Sequence, residues 1–185
     1  MSKIFNKFKF FFRKPKMVIV TGDKADCVKE AIFRVLNQYF QTELHPPTTL
    51  PFFRTPEVLI FEANATELKN LQFFLKKTPL SVLVSTQGTM EIQDKKTGFK
   101  KLTFGFQDGV DFQATDIKLN GDTNFKINYK GSIVPAWLKG IADQNQIYSA
   151  LTAAAVGTTL GLNLVEVSQS LKNYQSLSGK AVDKI

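Results

Sequence analysis

Cysteine and histidine are nearly absent from this 185-residue sequence: each occurs once, as Cys27 and His45. A single cysteine excludes an intramolecular disulfide framework, and one Cys with one His argues against a Cys/His zinc site. Both scarcities point to a reducing, cytosolic setting. No apolar run approaches the roughly 18–20 residues that span a bilayer. The N-terminus lacks a continuous apolar stretch and a small-residue cleavage site, so it reads poorly as a secretory signal. Acidic residues are missing from positions 1–16, which hold Lys3, Lys7, Lys9, Arg13, Lys14 and Lys16. The rest of the chain carries 18 basic and 16 acidic residues, so the formal charge of +8 belongs mostly to this arm.

What is abundant is phenylalanine: seventeen residues, five of them (Phe5, Phe8, Phe10, Phe11, Phe12) in the arm. Ile4, Phe5, Phe8, Phe11 and Phe12 fall at helical spacing, with Lys3, Lys7 and Lys14 mostly elsewhere on the wheel. An in-plane helix on an anionic membrane surface, or on a protein partner, has this pattern. Lys3, Phe5, Lys7, Phe8, Phe11, Phe12 and Arg13 are the expected contact residues. A short helix docked on the body, or a disordered end, is the plainer reading of the same residues. Nucleic acid is the weakest partner expectation: lysines suit phosphates, but nothing here reads bases.

Pro15 separates the arm from the body. Val18–Val20 reads as a short buried strand, and Ile32, Val35, Leu36, Tyr39 and Phe40 recur at the spacing of a helix packed on a sheet. Residues 57–63 (EVLIFEA) and 80–86 (LSVLVST) read as further strands, with a helix over 66–77 that has Thr66 at its N-cap. Strands alternating with helices predict a parallel sheet of doubly wound type. After Gly88 the texture changes. Segments 99–106, 112–119, 124–130 and 132–138 read as antiparallel strands joined by tight turns, Asn120-Gly121-Asp122 being the clearest. Helices over 144–160, ending at Gly161, and from 164 to 174 close the chain; the Ala run of the first reads as core. The expected organisation is an arm over 1–16, one domain over 17–180 and a short tail over 181–185.

The turn between the first strand and helix has the layout of a phosphate-binding loop without its chemistry. Such a loop needs a second Gly so that backbone N–H groups can curl round phosphates, a Lys for the β/γ-phosphates and a hydroxyl for Mg²⁺. Here it reads Thr21-Gly22-Asp23-Lys24-Ala25-Asp26-Cys27. Two acids face any incoming polyanion. The expectation is a restructured turn, with Asp23 or Asp26 capping a helix that begins near Cys27. Lys24 reads as a surface lysine, Cys27 as a packed thiol on a helix face, and His45, ahead of Pro46-Pro47, as a solvent-facing loop residue.

Taken together, MVIVTG…KEAIFRVL, EVLIFEANA, LTFGF at 102–106, DFQATDIKL at 111–119 and NQIYSALTAAAVGTTLGL at 145–162 resemble the central, ATP-binding domain of the Mur ligases. These are the ATP-dependent amide-forming enzymes of peptidoglycan precursor synthesis, and the type that adds the terminal dipeptide gives the nearest likeness. The resemblance covers about residues 16–180. It implies an α/β fold: a three-layer, mostly parallel sheet with an antiparallel subsheet. The family's T-G-x-x-G-K-S/T aligns without a gap on residues 21–27, so Thr21 and Gly22 are kept. The second Gly is Ala25, the phosphate Lys is Asp26 and the metal-side hydroxyl is Cys27. Glu62 matches the family's Mg²⁺-binding Glu. The adenine-side motif H-N-x-x-N becomes Asn145-Gln146-Ile147-Tyr148-Ser149, replacing the His and both Asn.

After residues 84–86 the family's N-x-G-x-x-H segment has no His here, and the helical insert with a modified, metal-associated lysine is gone. Nothing in these residues matches the domains that hold the UDP-sugar and present the amino substrate. The degenerate nucleotide site is therefore Thr21, Gly22, Lys24, Asn145 and Ser149, with Glu62 as the metal position and no catalytic residue. No cofactor is expected. The resulting expectation is a silent ligase-like scaffold tied to cell-wall synthesis through a protein partner, cytoplasmic and peripheral at the inner membrane face. The alternative is a reduced ATP- and Mg²⁺-dependent acid–amino-acid ligase, or a nucleotide binder, completed by a partner chain.

Overall fold

The structure, a computed structural model, describes residues 18–20, 25–40, 42, 58–61, 81–85, 100–172 and 174. Ten elements are described: β1 (Val18–Val20), α1 (Ala25–Leu36), β2 (Val58–Phe61), β3 (Ser81–Ser85), β4 (Lys100–Gly105), β5 (Phe112–Asn120), β6 (Asp122–Tyr129), β7 (Ser132–Leu138), α2 (Gln144–Thr159) and α3 (Leu164–Leu171). The strands form one seven-stranded sheet in chain order, β1 to β5 parallel and β5 to β7 antiparallel. The α/β class and the antiparallel subsheet agree with the sequence reading. Doubly wound order does not: the described strands never reverse direction across the sheet, so no topological switch point lies between them. Strand order is a long-range property that local periodicity does not carry. The helix expected over 66–77, the strand ends beyond 58–61 and 81–85, the arm and the tail lie outside the described residues.

A second difference concerns β4 and β5, which the sequence suggests are antiparallel. They are parallel, paired only through Phe104 with Phe112 and Gly105 with Gln113. Parallel neighbours ordinarily need a crossover of a dozen residues or more. Here β5 starts beside the end of β4, so the chain sidesteps and does not have to return along the strand. The intervening loop is clasped at its base. Asp111 Oδ2 accepts from the Thr103 backbone N–H at 2.7 Å and from Thr103 Oγ1 at 2.9 Å, and the Asp111 N–H donates back to Thr103 Oγ1 at 3.0 Å. Gln113 Nε2 donates to Asp108 Oδ1 at 2.7 Å, and Gly109 supplies the positive φ of +85°. Asp111→Ala removes a charged acceptor from two donors, so it should cost about 2 kcal/mol, and Thr103→Val about 1 kcal/mol. Urea unfolding of both variants checks this; equal losses would mean that the carboxylate does not hold the loop.

The antiparallel part follows from local residue choice. Lys130 and Gly131, at φ +48° and +79°, form the two-residue turn between β6 and β7. Phe125 and Ile127 of β6 and Ala136 and Leu138 of β7 face inward, while Lys126, Pro135 and Trp137 face out. Pro135 sits on β7, whose described partner strand is β6 alone, a position where a missing N–H is tolerated. Its carbonyl accepts from Ser168 Oγ of α3. A register shift in β5 between Thr115 and Lys118 places Asp116 at φ +53°, with its carboxylate 2.6 Å from Lys126 Nζ.

The Lys126 ammonium, hydrogen-bonded to Asp116, holds that carboxyl below its usual value, and Lys118 adds to the shift by charge. A depressed folded value means that the stabilisation is present above the unfolded pKa of ~3.9 and lost as pH falls through the folded one. Asp116→Asn keeps a residue that tolerates positive φ and removes the charge. The expected result is a small Tm gap between the two proteins at neutral pH that closes below about pH 4. A gap of constant size across that range would assign the effect to geometry and not to ionisation.

The core lies between the sheet and one described helical layer. α2 packs on β3, β4 and β5, α3 on β7, and α1, α2 and α3 on one another. Every residue of α2 from Ile147 to Gly157 is buried, which a helix apolar all round requires. Both later helices start with reciprocal caps, Asp143 with Gln146 and Asn163 with Glu166. α2 ends where Gly161, at φ +102°, bonds back to Thr158 O and Leu162 N–H reaches Gly157 O, a Schellman stop. α3 ends at Leu171, a few residues earlier than the sequence reading has it.

Candidate functional site

Two helix starts carry the residues at issue. α1 begins at Ala25, so Asp26 is the second helical residue and not a cap, and the helix starts about two residues earlier than expected. The Asp26 side chain is 98% exposed and accepts from Lys29 Nζ at 3.1 Å, one turn on. A helix N-terminus bears roughly half a positive charge, which makes it a ready phosphate site. Here a carboxylate of the chain's own stands in that field, so a phosphate arriving at the same turn meets a like charge. Cys27 is a free, half-buried thiol in this turn. Thr21, Gly22, Asp23, Lys24 and Glu62 lie outside the described residues, as do the arm positions Lys3, Phe5, Lys7, Phe8, Phe11, Phe12 and Arg13 and the loop residue His45.

The second start is that of α2, where Asn145 and Ser149 lie. Asn145 is exposed and Ser149 is buried. They are brought together, but by helix geometry: Ser149 Oγ donates to the Asn145 carbonyl at 2.9 Å. Gln146, at the first Asn of the adenine-side motif, is engaged in the cap. Its Oε1 accepts from the Asp143 N–H at 3.0 Å, and its own N–H donates to Asp143 Oδ1 at 2.8 Å. Tyr148 is buried, its ring 4.8 Å from that of Phe104 in β4 and 6.2 Å from that of Phe106 just beyond it. The first turns of α2 thus hold the helix and the core together.

The structural tasks of Gln146, Asp111 and Thr103 are absent from the sequence reading. The Asp143-x-x-Gln146 spacing was a readable signal, being the capping-box pattern with Asp at its head. The Thr103–Asp111 clasp had no local signal, because it depends on the sidestep between two parallel strands.

Several solved ligases superpose on this fold. A UDP-N-acetylmuramoylalanyl-D-glutamyl-2,6-diaminopimelate–D-alanyl-D-alanyl ligase from Acinetobacter baumannii superposes with a TM-score of 0.67 at 17% identity, over 87% of this chain and 46% of that one. The MurF ligase of Thermotoga maritima, solved in complex with ADP, gives 0.63 at 14% identity, over 88% and 49%. The fold is that of the Mur ligases. At these identities the likeness is one of fold, and a shorter sequence match accompanies it. A UDP-N-acetylmuramate–L-alanine ligase of Chlorobium phaeovibrioides is 32% identical over 76 residues, 40% of this chain and 16% of the relative. No protein-family model matches the chain. This chain spans under half the length of these two solved ligases and 16% of the curated relative. Among the described residues no helix is long and apolar enough to cross a membrane.

Proposed function

We propose that this chain is a catalytically silent Mur-ligase-like domain that works as a binding or scaffold protein in cell-wall precursor synthesis. Its arm holds it at the inner face of the membrane. The observation that carries this reading is Asp26: the residue at the family's phosphate-lysine position is an exposed carboxylate in the first turn of α1, paired with Lys29. Ala25 and Cys27 remove the Gly and the hydroxyl beside it, and Gln146 and Ser149 are engaged within α2 and its cap. Amide synthesis at the expense of ATP needs phosphates, acceptor and amine held together, since positioning and preorganised charge supply most of the rate.

Thermal denaturation with millimolar ATP-Mg²⁺ tests the proposal. A ligand present at 100 times its Kd would add about 2.7 kcal/mol, or roughly 5–10 °C in Tm for a domain of this size. The expected shift is none. A reproducible rise abolished by Glu62→Ala would overturn the silent reading in favour of a nucleotide binder completed by a partner chain, for which the retained Thr21, Gly22 and Glu62 speak.

A further inference from the structure

We draw no further inference here: the strongest candidate, the outward-facing apolar strip of Ile133, Pro135 and Trp137 on β7, carries nothing because nothing in the structure shows what covers it.

Discussion

Removing residues 1–16 is expected to abolish binding of this protein to anionic bilayers. The arm holds six cations, five Phe and no acid, whereas the remaining chain is close to neutral. Each Lys or Arg near an anionic surface contributes about 1 kcal/mol. Engagement of only half of the six would give about 3 kcal/mol, which is more than a hundredfold in affinity. Insertion of Phe side chains adds apolar burial that salt does not screen. The two contributions therefore separate by ionic strength: the Debye length falls from about 8 Å at 0.15 M to 3 Å at 1 M. The measurement is co-sedimentation of the 185-residue chain, and of a chain starting at Met17, with neutral and with anionic liposomes. The longer chain should sediment with anionic lipid only, and less so as salt rises. Equal sedimentation of both chains would remove the membrane from the proposal and leave the Phe residues to a protein partner or to the body.

How far the molecule was legible depends on the range over which each feature is determined. The helix starts at Asp143 and Asn163 and the stop at Gly161 are set by residues within one turn, so the sequence shows them. The turn at Asn120-Gly121-Asp122 is equally local, with Gly121 at φ +79° between paired Asn120 and Asp122. The β4–β5 junction is different. Segments 99–106 and 112–119 read as antiparallel neighbours joined by a tight turn, yet parallel pairing follows from where β5 starts relative to β4. Strand order is equally non-local. For the site, the replaced residues were visible as replacements, but what they do instead was visible only in part. The cap role of Gln146 is written in the Asp143-x-x-Gln146 spacing, whereas Ser149 as a donor to Asn145 O becomes apparent only once α2 has a defined start.

The close approach of three helices at Gly157 sets the second large effect. A Cβ placed there would lie 2.9 Å from Val167 Cγ2 of α3, 3.2 Å from Val35 Cγ1 of α1 and 3.4 Å from Leu162 Cδ1. Two influences oppose one another in Gly157→Ala. Alanine is the better helix former by about 1 kcal/mol, while overpacking a well-filled core costs typically 1–3 kcal/mol. Because Val35 and Val167 are both fully buried and branched, neither can turn away freely. Overpacking should win, by up to about 2 kcal/mol. Gly157→Val adds two further methyl groups and a stiff χ1, so its loss should reach about 3 kcal/mol or more, a Tm fall of roughly 6–12 °C. Combining Gly157→Ala with Val167→Ala removes the nearest obstacle, and the pair should be less destabilised than the sum of the singles by at least about 0.5 kcal/mol. Urea unfolding of the four proteins closes the cycle. A Gly157→Ala variant more stable than the parent, with additive losses in the pair, would mean that helix propensity governs this position and that α1, α2 and α3 do not meet here as closely as described.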